Sequence, residues 1–188
     1  AVICIPTLLG AWKELGGGAF YNNGGIYNIN KNLIEGLNFK NENIRMLDQS
    51  RIGPILNGNK SALKNGVAVK ALFIQNTNPL VVAPETVLVR KGFQRKDLFV
   101  CVHEQFMTET AKYADVLLPA TSFVEHEDIY ISGGHQHLTY GPKLIKEVGK
   151  CWSNNKLINE LGKKIGSKDN CFQLSEAELI DITLQESN

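Results

Sequence analysis

Between residues 67 and 120, short apolar runs alternate with polar stretches broken by proline. Val67 to Ile74 (VAVKALFI) is apolar and rich in β-branched residues, which predicts a strand. Leu98 to Val102 (LFVCV) predicts a second strand, and Asp115 to Leu118 (DVLL) a third, stopped by Pro119. Pro79 and Pro84 interrupt the chain after the first run, and 84–91 reads as a short helix with Pro84 near its first turn. Thr108 is placed to cap a helix of one or two turns opening at Thr108-Glu109-Thr110-Ala111. Strands this apolar predict a sheet covered on both faces. The alternation of strand and helix predicts parallel pairing with right-handed crossovers. Residues 121–150 carry no strong helical period and read as loop with room for short strands. Beyond them, Leu157, Ile158, Leu161 and Ile165 mark the apolar face of a helix over 153–165, which Gly166 ends. Ser175 with Glu178 three residues later is a capping box for a last helix over 176–185.

The first third of the chain is different. Residues 10–32 are rich in glycine and asparagine and show no regular apolar period, so they read as loop. A loop this long in a compact domain is often functional. Residues 50–66 are again loop-like. Ala1 to Leu9 is apolar but has no basic region before it and no cleavage site after it, so it reads as the tail of a helix begun earlier in a longer protein. The expected division is a loop-rich segment over 1–66 and an α/β domain over 67–188.

Composition narrows the partners. Twenty Lys and Arg balance 19 Asp and Glu for a net charge of +1, which gives no electrostatic case for nucleic acid or an anionic membrane. The middle of the chain is the acidic part, with 5 basic and 8 acidic residues over 71–130. No apolar run approaches the ~18 residues that a membrane span needs. The four cysteines, Cys4, Cys101, Cys151 and Cys171, include no Cys-x-x-Cys pair, and read as free buried thiols.

In an open parallel sheet, ligands lie beyond the carboxyl ends of the strands. Three segments fall there: Gln75-Asn76-Thr77-Asn78-Pro79, His103-Glu104-Gln105-Phe106-Met107-Thr108 and Pro119-Ala120-Thr121-Ser122. They are rich in side chains that donate and accept hydrogen bonds, although turn and cap chemistry explains the same residue types equally well. Glu125-His126-Glu127-Asp128 and Gly133-Gly134-His135-Gln136-His137 offer metal-ligand types at a spacing that is not specific for a metal. His103 beside Glu104 suits acid–base work or a structural pair. Gly-x-Gly-x-x-Gly after a strand, the phosphate loop and Gly-x-Ser-x-Gly are all absent.

Taken in order, several of these stretches resemble the molybdopterin oxidoreductase (dimethyl sulfoxide reductase) family. They are Leu72-Phe73-Ile74-Gln75-Asn76-Thr77-Asn78-Pro79, Phe106-Met107-Thr108-Glu109-Thr110-Ala111, Ala114-Asp115-Val116-Leu117-Leu118-Pro119-Ala120, Glu125-His126-Glu127-Asp128 and Cys151-Trp152-Ser153-Asn154. The resemblance is good over about 67–186 and looser over 1–66, where Leu8 to Gly18 is similar to a Leu-x-Gly…Gly-Gly-Gly stretch.

The resemblance implies a central fragment of a larger multidomain enzyme, with a Rossmann-like, dinucleotide-binding, three-layer α/β domain. It implies a cofactor in which molybdenum or tungsten is held by two molybdopterin guanine dinucleotides. It implies transfer of electrons or oxygen atoms with a small redox substrate, together with the remaining domains of the parent enzyme and an electron-transfer partner. Contacts to one guanine dinucleotide carry over to Asn76 or Asn78, to His103 and Glu104, and to Thr108, His126 and Asn154. Glu104 stands where several members have Asp. The metal's protein ligand and any iron–sulfur cluster belong, by the same resemblance, to parts outside these 188 residues. The expected compartment is the cytoplasm, or the periplasm if an export signal precedes residue 1. On the residues alone, two other readings stay open: a non-catalytic nucleotide-binding scaffold, and an unrelated α/β hydrolase or metalloenzyme.

Overall fold

The structure is a computed structural model, and it describes residues 2, 4–19 and 26–187. Three parallel strands form its centre in the order β1 (Ala71–Gln75), β2 (Phe99–Glu104), β3 (Val116–Pro119). The parallel alternation predicted from the apolar runs is therefore present. β1 starts four residues later than the apolar run does, because Val67 and Lys70 lie outside the ladder that pairs Ala71 with Phe99.

Strand alternation sorts the side chains onto two faces. Ile74, Val100 and Val102 point to one face and are buried with Leu56, Leu80, Val89 and Phe93. Those four come from short helices that cover this face: α3 (Ile52–Leu56), α4 (Pro79–Val82) and α5 (Thr86–Phe93). Residues 52–63, expected in the loop-rich segment, thus pack into the α/β core, with Ile55, Ala62 and Leu63 forming a second buried cluster. The helices α3 and α5 touch at glycines. A Cβ on Gly92 would lie 2.4 Å from Leu56 Cβ, so the close approach requires that residue.

The other face differs from the expectation of a sheet covered on both sides. Phe73, Phe99 and Val116 are 46%, 49% and 39% exposed there, so among the described residues there are two full layers and not three. The connection from β2 to β3 is also shorter than predicted. Thr108 does act as a cap, accepting from Ala111 N at 3.1 Å, but the element it heads is a three-residue 3-10 turn, Ala111–Tyr113, and not an α-helix.

After β3 the chain makes an antiparallel hairpin, β4 (Asp128–Ile131) and β5 (Leu138–Gly141), within the region expected to be loop with short strands. Trp152 then forms a parallel bridge with Ala120 and leads directly into α6 (Asn154–Lys164), capped by Ser153, whose hydroxyl accepts from Lys156 N. The last helix, α7 (Glu176–Gln185), carries the predicted capping box: Ser175 N donates to Glu178 Oε2 at 2.8 Å and Ser175 Oγ accepts from Glu178 N at 3.3 Å.

Ahead of the sheet lie two one-turn helices, α1 (Cys4–Leu8) and α2 (Asn32–Glu35). Of the predicted glycine-rich loop, Phe20 to Gly25 lie outside the described residues. Gly17 sits in a turn where a Cβ would meet Ala11 O at 2.1 Å. The cysteines are free, as predicted, but not buried: Cys4 is exposed and the other three are partly so. No helix among the described residues is long and apolar enough to cross a membrane.

Candidate functional site

The three parallel strands end level with one another. Gln75 lies beside His103, His103 beside Leu118, and Glu104 beside Pro119. The segment 152–154 crosses the same edge. Trp152 N donates to Pro119 O at 3.0 Å and Trp152 O accepts from Thr121 N at 3.2 Å, which fixes the start of α6 beyond the strand ends.

His103 is almost fully buried, at 1% exposure, and both its ring nitrogens are used inside the chain. Nε2 meets Trp152 O at 3.0 Å and Nδ1 meets Gln75 Nε2 at 3.0 Å. Gln75 Nε2 also donates to Asn154 Oδ1 at 2.8 Å. The sequence points to His103 and Asn154 by resemblance and does not single out Gln75. A signal for it exists, because Gln75 and His103 end adjacent strands on the same face by simple alternation.

Glu104 leaves β2 on the opposite side from His103. Its Oε1 accepts from Gln105 N at 2.7 Å, and its Oε2 has no partner among the described residues. The two asparagines after β1 have different surroundings. Asn78 Oδ1 accepts from Thr110 Oγ1 at 2.7 Å and from Thr110 N at 3.2 Å, while the same hydroxyl accepts from Leu80 N at 3.1 Å. This buried cluster ties α4 to the turn after β2. Asn76 has a left-handed backbone, φ 59°, which asparagine tolerates, and its side chain is exposed. Of the two, Asn76 is the one open to a ligand.

Thr108 heads only the short 3-10 turn, so no helix dipole stands behind it. His126 is placed by its neighbour: Nδ1 pairs with Thr121 Oγ1 at 2.9 Å, and Gln105 Nε2 donates to Thr121 O at 2.7 Å. Beside it, Glu125 is buried and organises the loop. Its two carboxylate oxygens accept from Ser122 N and Val148 N, each at 2.6 Å. Those main-chain donors hold its carboxyl below the usual range. Lys156 lies 5.0 Å from the Trp152 ring centroid, a cation–π contact at the mouth of α6.

Among the described residues, no three of His, Cys, Asp and Glu come together to hold a metal ion. A cavity of about 350 Å³ between the hairpin and α7, lined by Ile129, Leu138, Tyr140, Ile180 and Leu184, includes none of the strand-end residues. The strand ends therefore form an open polar edge, suited to a ligand laid across it.

The sequence profile described as molybdopterin oxidoreductase matches residues 13–164. The chain belongs to the molybdopterin oxidoreductase family. It is 37% identical over 180 residues to the probable oxidoreductase YoaE of Bacillus subtilis (strain 168), a match covering 95% of this chain and 26% of that protein. It is 34% identical over 125 residues to the assimilatory nitrate reductase catalytic subunit of the same organism, covering 64% of this chain and 16% of the relative. It is 35% identical over 103 residues to formate dehydrogenase H of Escherichia coli (strain K12), covering 52% and 13% respectively. The fold is similar to that of acetylene hydratase from Pelobacter acetylenicus, with a TM-score of 0.61 and 22% identity over 74% of this chain and 19% of that one. This molybdopterin oxidoreductase chain thus spans about a quarter of the length of the first relative and less of the others.

Proposed function

We propose that this chain supplies one wall of the site for a guanine dinucleotide arm of the molybdenum or tungsten molybdopterin cofactor, in a parent enzyme that transfers electrons or oxygen atoms with a small substrate. The observation that carries the reading is the open polar edge at the carboxyl ends of three parallel strands. It has Glu104 on one side, the Gln75–His103–Asn154 network on the other, and Asn76 between. That edge is where a Rossmann-like sheet takes a dinucleotide.

The donor set fits the group. An ionised carboxylate accepts from two N–H groups at once, and Glu104 has a free oxygen for the N–H donors of guanine. Asn154 Nδ2 has no partner among the described residues and suits an acceptor, which guanine offers at O6 and N7. Asn76, Thr108 and His126 line the same edge and are assigned to the ribose and phosphates. His103 holds the network from behind. When bound, the cofactor supplies the oxygen-atom or electron transfer; the residues of this chain bind and orient it.

The test is Glu104→Gln in the full-length protein, followed by quantification of guanine nucleotide released from it. Losing one carboxylate acceptor leaves a guanine donor unpaired and costs about 1–3 kcal/mol, so retention through a desalting column drops well below the wild-type level. Unchanged guanine content, with Asn154→Ala equally silent, would show that the dinucleotide lies elsewhere.

A further inference from the structure

The network at the strand ends has a direction. A main-chain carbonyl only accepts, so the contact at 3.0 Å between Trp152 O and His103 Nε2 places the ring proton on Nε2. Nδ1 of the same ring is then the acceptor, and Gln75 Nε2 at 3.0 Å is its donor. The second proton of that amide goes to Asn154 Oδ1 at 2.8 Å. With Oδ1 engaged, Asn154 has only its Nδ2–H₂ to turn away from Gln75. Each link is set by the one before it, and the first is fixed by the sheet, since Trp152 is bridged to β3 through Pro119 O and Thr121 N.

We infer that Gln75 is a positioning residue: it holds the Asn154 amide so that the strand edge presents a hydrogen-bond donor, and the ligand atom facing it is an acceptor. This rests on the dinucleotide reading above and adds to it the polarity of one contact. For a purine nucleotide the assignment becomes a choice of base. Guanine carries an acceptor at O6, whereas adenine carries a donor, N6–H₂, at the same place. A donor held by Gln75 favours the first and leaves the second facing a like group. Gln75 acts without touching the base.

The experiment measures binding of GDP and ADP to the full-length apoprotein by calorimetry. Asn154→Asp keeps the acceptor toward Gln75 and replaces the outward donor by an acceptor. Gln75→Glu removes the proton that Asn154 Oδ1 receives, so the asparagine turns its Nδ2 inward and its Oδ1 outward. Both variants lower the preference for GDP over ADP by about tenfold or more. Should Gln75→Glu fail to fold, Gln75→Met carries the same test, because it frees the amide to rotate and erodes the preference. If Asn154→Asp lowers the preference and neither Gln75 variant does, the positioning role is wrong while the site stands. If the wild type binds neither nucleotide, or Asn154→Asp and Glu104→Gln both bind GDP as the wild type does, the site reading itself falls and this inference with it.

Discussion

Thr110 shows how much one hydroxyl can hold. It is fully buried, donates to Asn78 Oδ1 and accepts from Leu80 N, itself 2% exposed. Thr110→Val keeps the shape and leaves the Leu80 N–H buried without an acceptor, which costs about 1–3 kcal/mol; urea unfolding should show stability fall by that amount. Glu125 sets a pH limit. Its carboxyl titrates below the ordinary value because Ser122 N and Val148 N donate to it, so the unfolded chain takes up the proton first as pH falls. The stability it contributes is complete above the unfolded value of about 4.3 and is lost as pH drops through the lower folded value. Thermal melts from pH 7 to pH 3 should therefore decline less steeply for Glu125→Gln than for the wild type. The sequence places His103, Glu104 and Asn154 at the strand ends because the apolar runs end there. It does not separate Asn76 from Asn78, because that depends on Thr110, 32 residues further on, lying against Asn78. Nor does it show that both nitrogens of His103 are taken, since Trp152 O is 49 residues away.

At the scale of elements, legibility follows how local the cause is. The Ser175–Glu178 box and the strand runs have their causes within a few residues, and they are present in the structure. α3 is hidden in the sequence because Gly53, Pro54 and Gly58 punctuate it like a loop, and its five residues are helical through packing of Ile55 and Leu56 on the core. The turn after β2 is shorter than its signal suggests, because Thr108 caps a 3-10 turn as readily as a helix. The α3–α5 contact yields a prediction in which two effects oppose each other. Gly92→Ala gains about 1 kcal/mol of helix propensity. The added methyl would meet Leu56 Cβ at 2.4 Å, backed by the rest of that buried side chain. Overpacking of this kind costs about 1–3 kcal/mol, so the variant should be less stable than the wild type. Adding Leu56→Ala should make the glycine substitution itself neutral or favourable in a double-mutant cycle, and additive losses would show that the two residues do not press on each other.

The whole molecule is a sheet with one packed face and one open one. Parallel sheets are ordinarily covered on both faces, and Phe73, Phe99 and Val116 make the open face apolar while they stand 39–49% exposed. The sequence signal is correct about the strands, whose apolar character calls for cover on both sides, and silent about which residues supply the cover. The same incompleteness holds at the site. The polar edge offers one wall, and no protein ligand for a metal is assigned within the described residues. Catalysis in metal–cofactor enzymes depends on a shaped cavity that excludes water and fixes the metal. The 188-residue chain by itself should therefore bind a hydrophobic dye on its open face and show no viologen-linked reduction of nitrate or N-oxides. Replacing Phe73 and Phe99 together by Gln should abolish most of the dye signal without lowering the unfolding midpoint, since neither side chain belongs to the buried core. A large loss of stability in that double variant would mean that the two rings are packed after all. Reductase turnover by the isolated chain would mean that one wall is enough, and the division of labour argued from the open sheet and the open edge would have to be given up.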